Sequence, residues 1–118
     1  MPHPLEQFID RQIAAYNAQD VDSCVACFAP GASIERDLQG TRLTGHDVLR
    51  GFYTGLFRQF PKNRCTVLKR MVVAPHVVDE ELIEGRDGGA FRTIIIYRIE
   101  DGLIVHARTL GREMVDPV

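Results

Sequence analysis

Apolar positions recur at helical spacing early in the chain and at alternate positions later. Over residues 4–18, Leu5, Phe8, Ile9, Ile13 and Tyr16 make one stripe, with Gln12 inside it, which predicts an amphipathic helix entered through Pro2 and Pro4. Residues 20–28 predict a second, short helix capped by Asp20 and stopped by Pro30 and Gly31. Residues 32–38 alternate as a strand does. Ala32, Ile34 and Arg36 share one face, and Ser33, Glu35 and Asp37 share the other. A third helix is expected near 46–59, opened by Thr44 and Asp47 as a capping box. Its stripe is Leu49, Phe52, Tyr53, Leu56, Phe57 and Phe60, and Pro61 ends it.

Beyond Pro61 the period becomes two. Four strands are expected near 64–74, 77–84, 90–99 and 103–111, broken by Pro75–His76, by the run GRDGG at 85–89 and by Asp101–Gly102. In strand 90–99, Phe91, Thr93, Ile95, Tyr97 and Ile99 face one way, and Arg92, Ile94, Ile96 and Arg98 the other. Both faces are apolar at mid-strand, so both should be covered. The helices can cover one; a second copy of the chain is expected on the other. The order helices, strand, helix, strands predicts one α+β domain over 1–118.

Composition narrows the partners. The chain has 118 residues and a net charge of −2 with mixed signs, and it shows no basic stripe for nucleic acid and no polybasic run for a membrane surface. MPHPLEQF is not a secretory signal, and no apolar run approaches the ~20 residues of a membrane span, so a cytoplasmic location is expected. Cys24, Cys27 and Cys65 fit a reducing compartment. Cys24 and Cys27 form a C-x-x-C that falls within the second helix and lacks a second ligand pair, so it reads as two structural thiols. His3, His46, His76 and His106 have no metal-ligand spacing, and no phosphate loop or Ser-His-Asp order is present, so neither metal nor cofactor is expected.

Five fragments, YNAQD, CFAPGASIE, TGHDVLRGFY, VVDEELIEG and IYRIEDGLI, stand in an order that resembles the nuclear transport factor 2-like superfamily, in its SnoaL-like and ketosteroid-isomerase-like branch. The resemblance implies a cone-shaped fold in which three N-terminal helices pack on a curved antiparallel sheet and enclose a pocket for a small molecule. It also implies a homodimer through the outer sheet face, near Ile94, Ile96, His106 and Arg108. On the ketosteroid isomerase pattern, the catalytic aspartate falls on Arg36, the donor tyrosine on Gln12 and the second donor near Ile95. Only the supporting tyrosine is matched, by Tyr53. Arginine cannot serve as the base, since it stays protonated.

No aspartate is assigned to an inward strand position, so acid–base work would fall to Glu80 or Glu81, one of which must face inward. Tyr53 joins them as a catalytic candidate. Gln12, Tyr16, Arg36, Phe52 and Tyr97 are the ligand-binding candidates. Tyr16, Tyr53 and Tyr97 are expected to need partners for buried hydroxyls. Arg36 is expected either to pair with Glu80, Glu81 or a ligand carboxylate, or to carry its head to solvent at the mouth of the pocket. The function expected is binding or conversion of a small apolar ligand with a polar oxygen. An isomerase- or cyclase-type enzyme and a non-catalytic binding module are both open.

Overall fold

The computed structural model describes residues 2–115. Helices α1 (Pro4–Asn17) and α2 (Val21–Ala26) precede strands β1 (Phe28–Arg36) and β2 (Thr41–Thr44). Helix α3 (His46–Gln59) follows, then β3 (Arg64–Val73), β4 (His76–Glu84), β5 (Phe91–Glu100) and β6 (Leu103–Met114). The α+β class and the three helices packed on a sheet are as the pattern predicts. The sheet is open, with order β2-β1-β6-β5-β4-β3. It is mixed: β1 runs parallel to β6, and every other neighbouring pair is antiparallel.

Several local expectations hold. Asp20 caps α2, its Oδ1 accepting from the Ser23 N–H at 3.1 Å. The hairpin at Asp101–Gly102 has both residues at positive φ, 51° and 75°, as a tight primed turn requires. Others differ. The second helix ends at Ala26, so Cys27 is its C-cap and only half-buried, while Cys24 is buried. Pro30 and Gly31 lie inside β1, where the ladder to β6 shifts register between Phe28 and Ser33. A bulge is where a strand tolerates proline. Thr44 does not cap α3. It ends β2, and its hydroxyl hydrogen-bonds to the Ser33 hydroxyl across the β1–β2 pair at 2.9 Å, leaving Gly45, at φ 91°, as the N-cap.

The main core joins Ile9, Cys24, Val25, Leu49 and Phe57 of the helices to Phe28, Ile34, Val77, Tyr97, Ile99 and Ile104 of the sheet. Register shifts in the β3–β4 and β5–β6 ladders add twist to the sheet beneath the helices. Two amides fix α1 over it. Asn17 donates to the Cys65 carbonyl at 2.9 Å and accepts from the Cys65 N–H at 2.8 Å, like one more rung of ladder. Gln19 donates to the Phe60 carbonyl at 3.1 Å. These clamps set the height at which Gln12 and Tyr16 meet the sheet.

Gly85 closes β4 at φ 84°, and a Cβ there would lie 1.9 Å from the Lys62 carbonyl oxygen. Backbone cannot yield to it. Gly85→Ala should therefore cost at least about 2 kcal/mol, from the clash and the left-handed strain together. Urea unfolding measures this; a loss within error would mean that the Lys62–Asn63 turn does not sit against β4.

Candidate functional site

The helix layer and the inner sheet face leave a cavity of about 120 Å³ between them. That is well above the ~10–15 Å³ a single water needs. Its apolar wall includes Ile13, Phe28, Ile34, Phe52, Leu56 and Ile95, and it opens into a shallower vestibule lined by Arg36, Gln39, Phe60, Arg86, Asp87 and Arg112.

The expected site residues divide cleanly. Gln12, Tyr16, Arg36, Phe52, Tyr53, Glu81 and Tyr97 all line the cavity. Glu80 does not. It lies on the outer sheet face, where it pairs with Arg92 at 3.2 Å. The run Val77–Asp79–Glu81–Ile83 is buried at every second position, so period two sends Glu81 inward and Glu80 outward. The same alternation corrects the expectation about aspartates, since Asp79 faces inward and is fully buried. Asp79 is not part of the cavity wall. Arg70 holds it with Nε to Oδ1 at 2.6 Å and Nη2 to Oδ2 at 2.9 Å, and also reaches Asp10 at 2.6 Å and the Glu6 carbonyl at 3.3 Å.

Glu81 is 6 % exposed, and its Oε2 has no hydrogen-bond partner among the described residues. Burial pushes its carboxyl up to about 7. The negative charge of Asp79 adds to the rise, and the neighbouring Cys65 and Tyr97 side chains oppose it. Tyr97 is itself raised by burial and then by Glu81. Across the cavity, Gln12 donates from Nε2 to the Tyr53 hydroxyl oxygen at 3.3 Å, and Gln12 Oε1 has no partner among the described residues. Because Tyr53 accepts there, its own O–H proton remains free to donate. Burial raises Tyr53 well above the usual tyrosine range, so it stays protonated. The Tyr16 hydroxyl accepts from Arg86 Nη2 at 3.1 Å.

Neither glutamate is the partner of Arg36. Its guanidinium lies over the Phe52 ring, 5.0 Å from the centroid. Gln39, with its amide oxygen turned inward, accepts from Arg36 Nη2 at 3.3 Å and from Arg112 Nη2 at 3.1 Å. Arg86 and Arg112 escaped the sequence reading. Arg86 looks like an ordinary hairpin-turn residue, and Arg112 lies past the predicted end of the last strand. Among the described residues, no three His, Cys, Asp or Glu side chains gather as metal ligands would, and no helix is long and apolar enough to cross a membrane.

The family profile of the SnoaL-like domain matches residues 9–107. The chain belongs to the SnoaL-like domain family. The match takes in every cavity-lining residue named above except Arg112. No curated protein sequence matches this SnoaL-like chain. Many solved structures share its fold. An uncharacterised cystatin-fold protein from Novosphingobium aromaticivorans is 23% identical, with a TM-score of 0.79 over 89% of this chain and 96% of its own. A candidate polyketide cyclase from Sinorhizobium meliloti is 19% identical, with a TM-score of 0.80 over 93% and 95%. A candidate ketosteroid isomerase from Kribbella flavida is 16% identical, with a TM-score of 0.79 over 95% and 80%. At these identities the likeness extends to the SnoaL-like fold.

Proposed function

We propose that the protein binds a small, mostly apolar molecule bearing a polar oxygen, and acts on it by acid–base proton transfer through Glu81. The observation that carries this reading is a cavity carboxyl raised to about 7 whose Oε2 has no hydrogen-bond partner among the described residues. A general base works best when its pKa lies near the working pH, and burial is the ordinary means of bringing a glutamate there. Glu81 would remove a proton from carbon beside a carbonyl and return it elsewhere on the substrate, with no net change in atoms. The Tyr53 hydroxyl, backed by Gln12, would donate to the carbonyl oxygen as it gains charge. Isomerase- and cyclase-type reactions both need this pair of roles.

Hydrogen–deuterium exchange tests the step without knowledge of the substrate. A panel of enones and β-keto acids is incubated with protein in D₂O, and loss of the α-proton signal is followed by NMR. Wild type should accelerate exchange for at least one compound, and Glu81→Gln should lose about 10²–10⁴-fold of that rate. The wild-type rate should rise with pH through about 7, as Glu81 loses its proton. Binding without exchange would replace this reading with that of a non-catalytic module.

The outer sheet face carries Met71, Val73 and Ile94, all exposed, beside Val78 and Ile96. That stripe supports the expected homodimer, and a monomer by light scattering at micromolar concentration would remove it.

A further inference from the structure

We infer that Arg36, Arg86 and Arg112 form an anion-recognition site at the cavity mouth, taking the carboxylate or phosphate of an amphiphilic ligand whose apolar body fills the cavity. The inference deepens the preceding reading by naming the class of substrate, and rests on it only in using the same cavity.

Three strand ends build the cluster. Arg36 closes β1, Arg86 lies in the β4–β5 turn, and Arg112 lies near the end of β6. All three line both the cavity and its vestibule. Aromatic faces hold them in place. Arg36 lies over Phe52, while Arg86 and Arg112 both lie over the Phe91 ring, at 5.3 and 4.2 Å from its centroid. Such stacking leaves the in-plane N–H groups free for an acceptor. Arg86 spends Nε on Asn63 at 2.8 Å and Nη2 on Tyr16, and Gln39 bridges the other two.

None of the three has an ion-pair partner among the described residues; Arg42, Arg50, Arg70, Arg92, Arg98 and Arg108 are paired, and Arg11, Arg58 and Arg64, which are not, do not line the cavity or its vestibule. The nearest acids on the lining are Asp87 in the vestibule and Glu81 in the cavity, and neither forms an ion pair with the cluster. Mutual repulsion is felt. Burial, and then the neighbouring arginine charges, lower both Arg36 and Arg112 below the usual guanidinium range. Like charges held together without a counter-ion, with Arg36 and Arg86 half-buried and Arg112 exposed, are unfavourable, and an anion relieves them. The rigid guanidinium fork matches two oxygens of a carboxylate or phosphate. Deeper in, Gln12 Oε1 and Glu81 Oε2 are buried acceptors without a partner among the described residues, on the lining of the same cavity, which calls for a ligand that carries a donor or a transferable proton there.

Calorimetric titration of the whole protein with octanoate, octyl phosphate and octanol tests the site. Octanoate or octyl phosphate should bind at least tenfold more tightly than octanol, and the preference between the two identifies which anion the site suits. The double variant Arg36→Gln, Arg112→Gln should lose that advantage and keep the octanol affinity. Raising salt from 50 to 300 mM should weaken the anions alone. If the double variant does not fold, Arg112→Lys serves: it keeps the charge, loses the fork, and should weaken anion binding several-fold. Octanol binding as tightly as octanoate, no binding of either anion, or variants that bind anions like wild type would each overturn the proposal. Glu81→Gln separates it from the catalytic reading. Anion binding should survive that substitution while proton exchange is lost; retention of exchange with loss of anion binding would sink both assignments.

Discussion

Arg70→Met should destabilise the fold by about 3–5 kcal/mol, the usual effect of leaving one member of a buried ion pair behind. Asp79 is 0 % exposed, and its side-chain hydrogen bonds among the described residues come from Arg70 alone. Methionine can fill the stem's volume but offers no donor, so a carboxylate would sit in the core without a counter-charge. For a domain of this size the loss corresponds to a fall of roughly 10–20 °C in Tm. Thermal unfolding followed by circular dichroism measures it. Replacing both partners, Arg70→Met with Asp79→Leu, should recover most of the loss, because an apolar pair of similar volume removes the stranded charge. A single variant within about 1 kcal/mol of wild type would mean that water reaches Asp79.

Glu81→Gln should make the protein more stable at high pH while abolishing proton transfer. The sign follows from the direction of the shift. Glu81 ionises near 4.5 in the unfolded chain and near 7 in the fold, so the folded state binds its proton more tightly. Its contribution is fully present below about pH 4.5, falls as pH rises between the two values, and is gone above about 7. The ionised side chain then costs on the order of 3 kcal/mol, at 1.36 kcal/mol per pKa unit. Glutamine has nothing to ionise. Wild type and variant should differ by under about 1 kcal/mol at pH 4 and diverge by pH 8.5, with glutamine the more stable. Urea midpoints across that range supply the check, and parallel curves would show that Glu81 titrates normally. A stabilising substitution that removes activity is the usual mark of a group held at some cost for its chemistry.

The pattern along the chain carried the fold further than the site. Period two in 64–111 located four strands to within a few residues, most plainly in β4, which buries every second side chain. It passed over Thr41–Thr44, an edge strand too short to show a period, and with it the cross-strand use of Thr44. Alternation also holds the information that Asp79 faces the core. A buried aspartate makes sense only beside Arg70, and that neighbour is fixed by the β3–β4 register, which no local window reveals. Gln12, Tyr16, Tyr53 and Tyr97 were legible because each places a polar group on an otherwise apolar face. Arg86 and Arg112 interrupt nothing. Their meaning comes from the distance folding removes between the ends of three strands.

The parallel contact between β1 and β6 has a consequence for the order in which the molecule can assemble. Ser33 pairs with His106 and Glu35 with Arg108, inside the sheet order rather than at its edge. Strands β1 and β2 therefore have no sheet to join until β6 has been synthesised and has paired with β5, whereas α1 can already meet β3 through Asn17 and Cys65. The β3–β4–β5 meander, built from neighbouring hairpins, can form first. Long loops must close before such non-local pairs are rewarded, which places folding in the millisecond-to-second range of sheet-rich domains. Until then the inner face of the meander, with Val77, Tyr97 and Ile99, stands open to water and to other chains. The hairpin at Asp101–Gly102 that turns β5 into β6 is thus the step on which docking of β1 and β2 waits.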